Sequence, residues 1–226
     1  MPAVNDVLKQ LKAKGTAHDL ANLKKFGIAA SKPIGVSMKN IQLVAKNVGR
    51  DHSLAEALWT TGHYEARMLA SLVDEPSEVT PAQMDRWCRD FDNWGICDTV
   101  CFKLFDQSPH AWGRVPKWAK LRGEFQMRAG FVLLACLAGH DKSATDAQFT
   151  AGLRLIEQGA ADDRDLVMKG VSWALRRIGM RNKHLYGASL TVAHRLAASD
   201  DPSARWIGKD AIRDLTRPLV AKRFKS

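Results

Sequence analysis

The sequence predicts an all-α protein made of antiparallel helix pairs stacked in series. Three observations carry that prediction. Apolar residues recur at spacings of three and four along nearly all of the 226 residues. No period-two run bounded by hairpin-turn residues interrupts them. The breaks between apolar stripes are mostly short and fall regularly, as connections between antiparallel helices do. An α-solenoid is the natural architecture for such a chain, and a compact helical bundle is the alternative. No linker-like composition divides it, so a single domain spanning residues 1–226 is expected.

The elements follow in order. Ser37 is placed to cap a helix whose apolar face is Met38, Ile41, Val44, Ala45 and Val48, with Gly49 ending it. Asp51 or Ser53 opens the next, striped by Leu54, Ala57 and Leu58 and stopped by Gly62. Tyr64, Met68, Leu69 and Leu72 stripe the helix that follows. Thr80-Pro81-Ala82-Gln83 reads as a helix start. The threonine hydroxyl can accept from the amide of Gln83, the glutamine side chain can reach back, and Pro81 lies where its missing donor costs nothing. Further amphipathic segments fall near residues 94–106, 124–138, 144–158, 163–178, 185–197 and 202–215, giving about a dozen helices in all. Internal repetition is faint: residues 64–70 and 125–131 share an aromatic, a basic residue three on, and small and apolar groups after it.

Composition sets the class. With 46% hydrophobic and 26% charged residues, the chain can bury enough apolar surface to fold. Its longest apolar stretch, Ala129 to Gly139, is too short to cross a bilayer. Residues 1–14 lack the apolar core and small-residue cleavage site of an export signal, so a cytoplasmic location is expected. Cys88, Cys97, Cys101 and Cys136 then read as reduced thiols. The formal charge is +10, unevenly spread: residues 1–50 carry +7 and residues 51–100 carry −7, with every later segment positive. An anionic partner fits that balance, and nucleic-acid phosphate is the commonest one.

The usual signatures of nucleotide and zinc enzymes are missing: no phosphate-binding Gly-rich loop, no His-Glu-x-x-His, no paired Cys-x-x-Cys. No metal site is expected. Cys97 and Cys101 share a helix face but lack further ligands around them, and the seven histidines are scattered. Two segments stand out. In Asp92-Asn93-Trp94-Gly95-Ile96-Cys97-Asp98, a helix starting near Asn93 sets an indole and a carboxylate on one face. The same letters suit an ordinary helix start, with Asn93 or Asp92 as cap, Trp94 packed inward and Asp98 favouring the N-terminal half through the dipole. Around Trp173, Lys169, Arg176, Arg177, Arg181 and Lys183 interleave cations with an aromatic. That suits a nucleic-acid surface, and equally a structural helix with a buried Trp and a solvated basic side.

Taken in order, these segments resemble the DNA alkylation repair glycosylases built from HEAT-like helical repeats, the AlkD-like enzymes. The resemblance spans most of the chain. It rests on Pro33-Ile34-Gly35-Val36, Leu58-Trp59, Tyr64-Glu65-Ala66-Arg67, Met84-Asp85-x-Trp87, Asn93-Trp94-x-x-Cys97-Asp98, Pro116-Lys117-Trp118, Met127-Arg128-Ala129 and Lys169-x-x-x-Trp173-x-Leu175-Arg176. It implies a right-handed α-solenoid of HEAT-like helix pairs and a concave DNA-facing surface. The family's catalytic aspartate, its two tryptophans and its arginine fall on Asp98, Trp94, Trp173 and Arg128. Phe26 takes the place of an aromatic near the lesion and has no hydroxyl to offer. Phe26, Lys39, Lys169, Arg176 and Lys183 are the expected DNA-binding residues. The activity implied is monofunctional hydrolysis of the N-glycosidic bond of N3- and N7-alkylated purines in duplex DNA, without a base-flipping pocket and without a cofactor. A monomer wrapping its duplex is expected. A non-catalytic DNA-structure binder on the same scaffold, or a protein-interaction solenoid, are the competing readings.

Overall fold

The computed structural model describes residues 4–224, and among them every regular element is helical. The helices are α1 (Val4–Lys12), α2 (Ala17–Lys25), α3 (Met38–Val48), α4 (His52–Thr60), α5 (Tyr64–Val73), α6 (Pro81–Arg89), α7 (Trp94–Lys103), α8 (Ala111–Trp118), α9 (Glu124–His140), α10 (Asp146–Gly159), α11 (Asp165–Gly179), α12 (Lys183–Ala197), α13 (Pro202–Leu215) and α14 (Pro218–Phe224). The chain divides into two compact units, Met1–His110 and Ala111–Ser226.

In the first unit α3, α5 and α7 pack in succession, α4 lies against α5, and α1 covers α3, α4 and α5. The second unit follows the same rule. There α9, α11 and α13 form one layer, while α12 packs on α10, α11 and α13. Alternate helices therefore stack on each other, which is what helix pairs in series produce.

Most starts lie where the sequence puts them. Ser37, Asp51, Thr80 and Asn93 each accept from a backbone amide three residues on. The Gln83 side chain, however, does not return to its cap. It donates to Asp74 Oδ2 at 2.6 Å, because a buried carboxylate outcompetes an exposed helix end. The apolar stripes did not reveal α1, α2, α8 or α14. α1 buries only Val7 and Leu11 and α2 buries no residue, so their stripes are thin. α8 carries Pro116 inside it, which reads as a break in sequence. The segment read as one helix over residues 94–106 instead ends at Lys103 and continues as a 3-10 turn, Phe105–Gln107.

The landmarks of the first unit are largely packing devices. Trp59 and Trp87 stack with ring centroids 3.9 Å apart and planes 4° from parallel. Arg67 lies over the Trp59 ring at 5.0 Å, and Trp59 Nε1 donates to Asp90 Oδ2 at 2.8 Å. Glu65 is wholly buried, and its carboxylate accepts from the amides of Ile34, Gly35 and Val36 at 2.8, 2.7 and 3.2 Å. Gly35 has φ +84°, and a side chain there would lie 2.6 Å from the Thr16 carbonyl oxygen. The Pro-Ile-Gly-Val loop is thus pinned to α5 by one carboxylate.

Asp74 is a second buried carboxylate. It pairs with His52 Nδ1 at 2.7 Å as well as with Gln83. Burial raises the Asp74 carboxyl above its ordinary range despite these bonds. For His52, burial acts downward, but the hydrogen bond and charge of Asp74 outweigh it and raise the imidazole above 6.5. A proton bound more tightly by the folded state stabilises it, so the His52 contribution is complete below the unfolded value and is lost as pH rises through the folded one. The expected result is a urea-unfolding midpoint that falls between about pH 6.5 and the raised His52 value. His52→Gln should remove that slope.

Candidate functional site

Trp94 is the first residue of α7, and Asn93 caps that helix by accepting from the Ile96 amide at 3.0 Å. The α-helical repeat then sets Asp98 one turn further along the same face. Trp94 is half-buried, and its Nε1 donates to the Phe26 carbonyl oxygen at 3.1 Å. This bond ties α7 to the end of α2, where Phe26 is 60% exposed. Asp98 is half-buried as well. The structure therefore brings Trp94 and Phe26 together, although they are 68 residues apart in sequence.

Beside them is a cleft of about 270 Å³, lined chiefly by Leu23, Phe26, Met38, Ile41, Tyr64 and Met68. Tyr64 is a residue that sequence reasoning treated only as part of an apolar stripe and as a landmark. Burial, with the nearby Glu65 and Asp92 charges, pushes its phenol up to about 12, so it stays protonated. Its hydroxyl lies 2.9 Å from where a Cβ of Gly95 would be, so α7 approaches α5 this closely only with glycine there. Asp92 links the preceding loop by accepting from Ser31 Oγ at 2.5 Å and Asn93 Nδ2 at 2.7 Å. The signal for these roles was an aromatic and a glycine at helix starts, which packing alone also explains. Lys39 is exposed in the first turn of α3, next in sequence to the cleft residue Met38.

In the second unit, Arg128 belongs to α9 and is 6% exposed. Its Nη1 donates to the Leu166 carbonyl in the first turn of α11. Trp173 is half-buried on α11. Lys169, one turn before it, is exposed and pairs with Asp165 at 2.7 Å. Arg176 is engaged by Asp210 at 3.6 Å and Asp214 at 3.5 Å, so much of its charge is spent joining α11 to α13. Lys183 is exposed at the start of α12. Phe26, Lys39, Trp94 and Asp98 thus belong to one unit, and Arg128, Lys169, Trp173, Arg176 and Lys183 to the other. Trp94, Asp98, Arg128 and Trp173 all occur on the α3-α5-α7 and α9-α11-α13 layers.

All four cysteines are buried and outside any disulfide, and among the described residues no group of three His, Cys, Asp or Glu side chains could hold a metal ion. No described helix is long and apolar enough to cross a membrane.

A sequence model of the DNA alkylation repair enzyme family matches residues 7–215. The chain belongs to the DNA alkylation repair enzyme family. The match runs from α1 to the end of α13, so it takes in every candidate site residue. A comparison with curated protein sequences finds no match. Among solved structures, the chain is similar to one from a new family of proteins related to the HEAT-like repeat DNA glycosylases with affinity for branched DNA structures. That similarity has a TM-score of 0.77 at 19% identity, over 99% of this chain and 96% of the other. At such identity the likeness shows the fold, which is the HEAT-like repeat fold expected from the sequence.

Proposed function

We propose that this DNA alkylation repair family member is a monofunctional glycosylase releasing N3- and N7-alkylated purines from duplex DNA. The observation that carries the reading is the pairing of Trp94 and Asp98 on the first two turns of α7, with Trp94 held by the Phe26 carbonyl. Arg128 and Trp173 complete the residue set in the corresponding layer of the second unit.

The chemistry needs little else. An N3- or N7-alkylated purine is cationic, so breaking its N-glycosidic bond returns the bonding pair to the ring and the base leaves neutral, with no general acid. The deoxyribose takes on positive charge, which the Asp98 carboxylate stabilises from a fixed position. Water then adds at the sugar carbon and gives up a proton, leaving an abasic site in an intact strand. Trp94 and Trp173 offer aromatic faces to the sugar and the cationic nucleotide. Arg128 serves a neighbouring phosphate, and Phe26, Lys39, Lys169 and Lys183 follow the duplex, with Arg176 contributing only the charge that Asp210 and Asp214 leave it. No step requires a base-flipping pocket, a metal or an organic cofactor. The reading includes action as a monomer, as one functional domain over residues 1–226, in the cytoplasm with the nucleoid.

Release of methylated purines from N-methylated duplex DNA by the purified protein tests it. A second reading, a DNA-structure binder without catalysis, is favoured by the solved structure related to branched-DNA affinity. Tight binding to junction DNA with no base release would establish that reading in place of the first.

A further inference from the structure

A second feature of the C-terminal unit is independent of the residues above. A cleft of about 370 Å³ opens between the ends of α9 and α11 and the start of α12, lined by Ala138, Gly139, Lys142, Arg177, Met180, Arg181, Asn182 and Arg223. Its lining holds four cations and no carboxylate, while Asp146, outside the lining, accepts from Asn182 and interacts with the charge of Arg181. From the structure we infer that this cleft binds a phosphate group, the backbone phosphodiester of DNA being its source. The inference rests on the proposed DNA partner only for that source.

The cations differ in what occupies them. Lys142 donates to the Gly139 carbonyl at 2.6 Å, and Arg181 to the Ala138 carbonyl at 2.9 Å while stacking 4.1 Å over Phe149. Those bonds cover the carbonyl end of α9, whose partial negative charge would otherwise repel an anion. Arg177 and Arg223 have neither a carboxylate nor a carbonyl partner among the described residues. Other arginines of this unit are treated differently: Arg164, Arg176 and Arg195 each have a carboxylate partner. The Arg181 Nε is also buried without an acceptor. Finally, Gly139 leaves room for Arg177, since a methyl group there would overlap the guanidinium. Four like charges held around one cleft repel each other, and a phosphate with several acceptor oxygens relieves that repulsion and satisfies the guanidinium forks.

Arg128 and Ala138 are ten residues apart on α9, so the cleft is about 15 Å along that helix from the proposed catalytic arginine. A phosphate there is a separate backbone contact on the same element.

The test sets a double variant, Arg177→Gln with Arg223→Gln, against a control losing the same charge at the exposed Arg154 and Lys209. Affinity for unmodified duplex DNA is measured against salt, so base release plays no part. The slope of log affinity on log salt should fall by about 0.9 for each phosphate that the cleft variant no longer neutralises, and stay unchanged in the control. Inorganic pyrophosphate is the second arm. If the DNA slope is unmoved but pyrophosphate raises the melting temperature of the wild type and not of the cleft variant, the phosphate cleft stands and its source is a free anion. If neither measurement separates the cleft variant from wild type, the inference is overturned. Far-ultraviolet circular dichroism checks that both variants are folded.

Discussion

Asp98→Asn is expected to lower the single-turnover rate of 7-methylguanine release by about 10²–10³-fold while leaving DNA affinity and thermal stability near wild type. The substitution keeps shape and removes charge. Asn93, not Asp98, caps α7, so the helix start does not depend on the carboxylate. A carboxylate that stabilises charge developing on the sugar contributes mainly to the transition state, so the loss belongs to the rate constant and not to binding. A variant that binds methylated duplex and releases base at the wild-type rate would remove Asp98 from the mechanism. A variant that fails to bind would point to a positioning role.

The largest stability effect is expected at Glu65. Glu65→Ala leaves the buried amides of Gly35 and Val36 and the half-buried amide of Ile34 without their acceptor. A buried donor left without its acceptor costs about 1–3 kcal/mol, so the combined loss is a large share of the stability of a small domain. It should appear as a marked drop in urea midpoint. Glu65→Gln keeps the side chain's volume and one acceptor oxygen, so it should fall between wild type and Glu65→Ala. A midpoint unchanged in Glu65→Ala would show that the loop is held by other contacts. Because the loop returns to α3, whose first residue lines the cleft beside Phe26, the same variant should also weaken DNA binding.

The sequence by itself determined the helical class, most helix starts and the identity of the candidate chemistry. These are local properties: a cap such as Ser37, Thr80 or Asn93 acts within three residues, and an apolar stripe such as Met38-Ile41-Val44 repeats within one helix. Trp94 and Asp98 are legible for the same reason, being one turn apart. The basic segment around Trp173 also stands out in the sequence, but family resemblance supplied Arg128 and joined both residues to α7, to which no spacing rule connects them. Only the tertiary structure decided what each charged or aromatic group touches. It gave the Trp94 indole to the Phe26 carbonyl, placed Glu65 under a loop some thirty residues away, and committed Arg176 to Asp210 and Asp214 while leaving Arg177 facing a cleft. Adjacent arginines on one helix differ by about 100° in direction, so their fates depend on the neighbouring helices and not on their own sequence.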